Sequence, residues 1–173
     1  MRLRLFLAAV LSVALPGAAA AQQTFGDTTV CFTPGQACAS LIAETIRGAR
    51  SEVLVQAFGF SSAVVIGALN DAHNRGVAVT ALLDRSVRRE PSPQALELVK
   101  QGVAAFIDDR VAIAHNKVVV IDAATVITGS FNFTQSAQSR NAENVLVIRN
   151  AQGAAAYREN FRSRMAEATQ WKP

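Results

Sequence analysis

His115 and Lys117 stand two residues apart in Ala-His115-Asn116-Lys117-Val-Val-Val-Ile-Asp122. The β-branched apolar residues around them read as a strand, on which alternate side chains share a face. His115 and Lys117 are therefore expected to point together, and Asp122 to the other face. A neutral imidazole beside a fixed cation suits an anionic substrate. The imidazole attacks or passes a proton while the ammonium holds an anionic oxygen. The pair does not suit a metal, because the lysine would repel a cation from its only His ligand. Taken alone, such a pair is also an ordinary feature of a solvated strand edge.

The following residues add to it. Gly129-Ser130-Phe131-Asn132-Phe133-Thr134 leaves the next apolar run. Gly129 allows close backbone approach. Ser130 and Asn132 offer short donors suited to phosphate oxygens, and Phe131 and Phe133 read as core anchors. Asn141-Ala-Glu143-Asn144 comes just before a further strand. A carboxylate at Glu143 would accept the imidazole's second N–H, fix its tautomer and stabilise the imidazolium.

These residues must be held by a framework, and the pattern predicts one. Strand-like runs cover 30–32, 52–58, 77–83, 103–107, 114–121, 125–128 and 144–148. Helix-like runs cover 39–50, about 62–75, 93–101 and 151–168. Strands alternating with helices predict an α/β fold with a mixed, largely parallel β-sheet flanked by helices on both faces. No linker, low-complexity tract or long repeat interrupts the chain, so residues 22–173 are expected to form one domain.

Residues 1–21, MRLRLFLAAVLSVALPGAAAA, differ from the rest. A basic start, a short apolar run and a small-residue exit describe a secretory signal peptide. Pro16-Gly17 breaks the run well short of the roughly 20 residues a membrane span needs. The mature protein is expected in the periplasm or outside a bacterial cell, with no stable membrane insertion once the peptide is removed. The full chain of 173 residues has formal net charge +4 and is 50% hydrophobic. That composition excludes a disordered polymer, a collagen or a disulfide-dense miniprotein. Losing Arg2 and Arg4, with no acidic residue, leaves 15 basic against 13 acidic residues. Export also implies an oxidising compartment. The two cysteines, Cys31 and Cys38, flank Pro34-Gly35, which turns the chain back, and a local Cys31–Cys38 disulfide is expected. A redox-active pair would ordinarily have two residues between its cysteines.

The spacing His115-x-Lys117-x4-Asp122-x6-Gly129-Ser130-x-Asn132 resembles the signature of the phospholipase D superfamily. The Gly-Ser-Phe-Asn-Phe-Thr wording, the later Asn-x-Glu-Asn and the length are similar to its small, exported, single-motif bacterial endonucleases. The resemblance runs from about Val30 to Phe161. It implies that His115 is a nucleophile forming a phosphohistidine, and that Lys117 and Asn132 bind the phosphate with help from Ser130. Glu143 would orient His115, and Asp122 would give structural support. No cofactor and no metal is implied.

The two-step chemistry of that family uses two imidazoles: one attacks phosphorus, the other protonates the leaving oxygen and then activates water. The chain has one copy of the motif and two His in all. The other, His73, lies in a polar helix end with no lysine two residues on, and reads as a solvated surface residue. The second imidazole is therefore expected from His115 of another copy, in a homodimer with a shared site. The leading expectation is a non-specific endonuclease acting on DNA, with RNA as a further candidate. The alternative is a phospholipase D acting on phosphatidyl lipids with the same residues. A catalytically silent nucleic-acid binder would not require His115 beside Lys117 and Glu143. Arg85, Arg88 and Arg89, after the third strand, are the candidate backbone contacts. Arg158, Arg162 and Arg164 read as a solvated helix face. One Tyr and one Trp limit base stacking.

Overall fold

The apolar runs form nine strands in one sheet in the computed structural model, which describes residues 22–25 and 27–173. They are β1 (Gln23–Phe25), β2 (Thr28–Thr33), β3 (Glu52–Ala57), β4 (Ala78–Asp84), β5 (Ala104–Asp108), β6 (Lys117–Ile121), β7 (Thr125–Gly129), β8 (Glu143–Arg149) and β9 (Thr169–Gln170). Their order across the sheet is β1-β2-β8-β7-β6-β3-β4-β5-β9. The helices are α1 (Cys38–Arg47), α2 (Ala63–Asn74), α3 (Pro93–Lys100), α4 (Gln135–Ser139) and α5 (Ala151–Met165). The signal peptide expected at 1–21 lies outside the described residues.

The mixed α/β sheet is as expected, but its balance is not. Between strands, parallel pairing is confined to β3–β4 and β4–β5. The other six pairings are antiparallel. A parallel pair needs a crossover, and only α2 and α3 provide one within the sheet. From β6 onward no strand follows its neighbour through a crossover: β6 and β7 are joined by a short turn, β7 and β8 by a loop that carries α4, and each pair runs antiparallel. The β6–β7 turn, Asp122 to Ala124, is the tightest: Asp122 and Ala123 both have positive φ (51° and 52°) and Ala124 N bonds Ile121 O, the geometry of a primed hairpin turn.

Both faces are covered. Val53, Val55, Val79, Ala81, Leu83 and Val119 pack beneath Ile42, Ile46, Leu69 and Leu98 of α1–α3. The alternate residues Leu54, Leu82, Val118, Val120 and Val126 pack against Ala154 and Phe161 of α5. Burial on two faces explains why the central strands read as unbroken apolar runs. The helix starts carry the side chains that satisfy their free N–H groups. Ser62 accepts from Val65 N, Ser92 from Ala95 N with Pro93 at the first helical position, and Asn150 from Gly153 N.

The expected disulfide forms between Cys31 of β2 and Cys38 at the start of α1. Arg158 and Arg164 are not a solvated face. Arg164 makes two bonds to the buried Asp108 (2.6 and 2.7 Å), and Arg158 pairs with Glu52 at 3.0 Å. Both tie α5 to the sheet. Trp171 is buried, with its N–H bonded to Ala105 O.

Candidate active site

The strand directions bring the chemistry to one edge. The C-terminal ends of β3, β4 and β5, the start of β6, the end of β7 and the start of β8 share one end of the sheet, as the registers Ala57↔Lys117, Ala57↔Leu83 and Gly129↔Val145 require. Loops at strand C-termini are the usual ligand walls of such sheets.

Lys117 is the first residue of β6 and is 7% exposed. His115 lies before the strand, not on it, and is exposed. The two are joined through the backbone: Lys117 Nζ donates to His115 O at 2.6 Å. Phe58, just beyond β3, backs both. Its ring centroid is 4.8 Å from that of His115 and 5.4 Å from Lys117 Nζ, within reach of a cation–π attraction. Burial pushes the Lys117 ammonium below its ordinary range, and the negative charge of Glu143 pulls in the opposite direction. The result is a cation held in a dry setting, where its attraction for an anionic oxygen is stronger than in water.

Ser130, Asn132 and Glu143 meet at the β7–β8 end. Ser130 Oγ donates to Glu143 Oε2 at 2.5 Å, and Asn141 Nδ2 donates to Glu143 Oε1 at 2.9 Å. Asn144 N donates to Ser130 Oγ at 3.1 Å. The strands come this close because Gly129 has no side chain. A Cβ at its φ of 147° would lie 2.2 Å from Asn144 O. Phe131 and Phe133 are buried, as expected of anchors, and alternation leaves Asn132 between them on the other side. Asn132 Oδ1 accepts from Gly59 N at 3.4 Å, which leaves its –NH2 as the free donor. Gly59 in turn lets the loop after β3 close on Asn132 and Thr134, and Ser61 N and Ser62 N both bond Phe133 O.

Two expectations are corrected in detail. The bond from His115 to Glu143 is not formed in the single chain. Strand register places Glu143 beside Ser130 and Asn141, which take both carboxylate oxygens. The orientation of Asp122 does not come from strand alternation either. Asp122 sits in the turn at the opposite end of β6 from Lys117. Its carboxylate accepts from Arg50 N, Ser51 N, Ser51 Oγ and Glu52 N at 2.8–3.0 Å. It fastens the entry to β3 rather than touching the site.

His73 lies at that far end as well, in a hollow with Gly76, Ala78, Gly102 and Ala104 at the starts of β4 and β5. Phe58 and Asp84 were not foreseen. Asp84, 3% exposed, accepts from Ser86 N (2.9 Å) and Ala114 N (2.8 Å), and so ties the turn after β4 to the residue before His115. Burial raises its carboxyl, but the bonds from Ser86 and Ala114 and the charge of Arg85 outweigh that, leaving it below the usual value. Among the described residues no three His, Cys, Asp or Glu side chains converge as metal ligands would.

Residues 42–165 match the family model described as cardiolipin synthase, PLD-like domain. A phospholipase D of Rickettsia bellii is 44% identical over 145 residues, covering 84% of this chain and 72% of that protein. The mitochondrial cardiolipin hydrolase of Xenopus laevis is 33% identical over 114 residues, 66% of this chain and 54% of that protein. Among solved structures, a phospholipase D family member, Nuc from Salmonella typhimurium, superposes with TM-score 0.77 at 28% identity, covering 84% of this chain and 98% of that one. NucT from Helicobacter pylori shares the fold, with TM-score 0.74 at 16% identity.

Proposed function

This chain belongs to the phospholipase D superfamily of phosphodiesterases, and on that premise we propose that it is a metal-independent, non-specific endonuclease hydrolysing DNA, and RNA as a second polynucleotide. The observation that carries the reading is the meeting of His115, the buried Lys117 and the Ser130–Asn132–Glu143 group at one end of the sheet. An imidazole nitrogen of His115 attacks phosphorus. A P–N bond forms as the bond to the leaving oxygen breaks, and that oxygen takes a proton from a second imidazole. Water then attacks the phosphohistidine, gives its proton to the second imidazole, and the P–N bond breaks to restore His115. Lys117 Nζ and Asn132 Nδ2 hold the phosphate oxygens, where charge develops, and the Ser130 hydroxyl, given to Glu143 in the single chain, assists by turning its one proton to the phosphate. Glu143 stabilises the imidazolium.

The second imidazole comes from His115 of a second copy, in a homodimer whose two-fold axis passes through the site. His73, at the opposite end of the sheet, does not supply it. We assign residues 1–21 as a removed signal peptide and the mature domain to the periplasm or the exterior. The nuclease reading is supported by the match to Nuc over nearly the whole of that structure. The lipid alternative is favoured by the higher identity to the Rickettsia phospholipases D, and it uses the same residues.

One parallel experiment tests both. Purified protein in EDTA is given plasmid DNA and a labelled phosphatidyl lipid. Nicking of the plasmid that persists in EDTA and disappears in His115→Ala is expected. Headgroup release without nicking selects the lipid reading, and loss of all turnover in EDTA overturns the metal-independent mechanism.

A further inference from the structure

Beside His115 the same end of the sheet carries two hollows that the reaction does not use. The first, a cavity of about 310 Å3, is lined by Phe58, Arg85, Arg89, Glu90 and Ile113, with Asp84 at its base. The second, about 280 Å3, is lined by Arg85, Arg88, Arg89 and Asp109. Arg85 and Arg89 border both. Phe58, the ring against which His115 packs, is also part of the wall of the first hollow.

The charges around them are unequally spent. Asp84 is consumed by Ser86 N and Ala114 N. Asp109 is paired with Arg88 at 3.5 Å, and Arg88 also bonds the Thr169 hydroxyl. Arg85 donates once, to Ala112 O at 3.0 Å, which leaves most of its donors and all of its charge. The Arg89 guanidinium has no hydrogen-bond or ion-pair partner among the described residues. Glu90 is the one unpaired carboxylate on the first hollow, and the second has none. Ile113 is 58% exposed on the rim.

We propose that Arg85 and Arg89 form a subsite for a second phosphate of the same polynucleotide strand, adjacent to the one cleaved at His115. Phe58 and Ile113 form the apolar wall along which the intervening nucleoside lies. The inference rests on the nuclease reading and deepens it. A polynucleotide presents a flanking phosphate; a small diester with one phosphate has nothing to place there. Asp84 makes the arrangement rigid, because one carboxylate fixes both the arginine turn (Arg85–Arg88) and the residue next to His115.

The test compares an oligonucleotide with bis(p-nitrophenyl) phosphate, both in EDTA, for wild type, Arg85→Gln and Arg89→Gln. Arg47→Gln, whose partner is Asp71 on the helical face, controls for net charge. Each subsite variant should lose about tenfold more kcat/KM on the oligonucleotide than on the small diester, mainly through KM. The slope of log KM against log salt should shrink by about one per arginine. Glu90→Gln should lower KM for the oligonucleotide. Activity on the small diester reports that each variant is folded. Cleavage of the oligonucleotide by Arg85→Gln and Arg89→Gln as efficient as wild type, or equal losses on both substrates, overturns the subsite alone. A wild type that hydrolyses the small diester and leaves the oligonucleotide intact overturns the nuclease reading and the subsite with it.

Discussion

Ser130 Oγ and Glu143 Oε2 lie 2.5 Å apart, and the serine hydroxyl also accepts the Asn144 N–H. The hydroxyl is thus used in both directions, and the carboxylate is held from both sides, by Ser130 and Asn141. Ser130→Ala removes a charge-assisted bond worth about 1.5–3 kcal/mol, which corresponds to roughly 10–100-fold in rate if it acts in the transition state. Glu143→Gln removes the charge itself. A loss of about 10^2-fold or more in kcat is expected, the size of an acid–base contribution. Steady-state kinetics on a small diester check both, and wild-type kcat in Glu143→Gln would refute the assigned role.

Lys117 predicts an alkaline limit. Burial lowers its pKa from the ordinary 10.5, and in the proposed mechanism its charged form is the one that holds phosphate. The grip is therefore complete below the lowered value and is lost as pH rises through it. The alkaline limb of kcat/KM should fall below 10.5. Because Glu143 opposes the shift, the limb should move to still lower pH in the residual activity of Glu143→Gln. A limb in that variant at or above the wild-type position would contradict the coupling.

Asp122 should matter for stability and not for turnover. Burial raises its carboxyl, but the bonds from Glu52, Ser51 and Arg50 outweigh this and leave it below 3.8. A carboxylate depressed on folding contributes stability that is present above its unfolded pKa and lost as pH falls through the folded one. Asp122→Asn places an –NH2 against one of these N–H groups whichever way the amide turns. It should cost about 1–3 kcal/mol at neutral pH, or roughly 2–4 °C of Tm per kcal/mol for a domain of this size. The acid-dependent part of the stability loss should shrink with it. Thermal melts between pH 2 and 7 measure both, and kcat at a temperature where the variant is folded should stay within a few-fold of wild type.

What the sequence made legible follows from locality. The β-branched run after His115, the Pro34-Gly35 turn between the cysteines and the alternation of Phe131, Asn132 and Phe133 are all short-range patterns. They appear in the fold with small shifts of boundary. Phe58 and Asp84 were illegible because their roles depend on β3 and β4 ending beside the start of β6, which is a matter of sheet order. Arg158 and Arg164 misled for the same reason: their partners Glu52 and Asp108 lie more than 50 residues away. The antiparallel weight of the sheet turns on the connections after β5, where the loop before His115 carries no helix to mark a crossover.

The lone imidazole at the site sets the last prediction. His115 is the one His at this end of the sheet among the described residues, while His73 stands beside Gly102 at the other. A reaction that needs two imidazoles then requires two copies, and its rate should depend on their association. Specific activity should fall as the protein is diluted through the dimer dissociation constant, in step with the dimer fraction measured by analytical ultracentrifugation. Mixing wild type with excess His115→Ala and allowing exchange should pull wild-type chains into half-sites with one imidazole, and activity should drop in proportion to the heterodimer formed. His73→Ala should leave kcat unchanged. Full activity from a monomer at nanomolar concentration would show that one chain completes the chemistry alone.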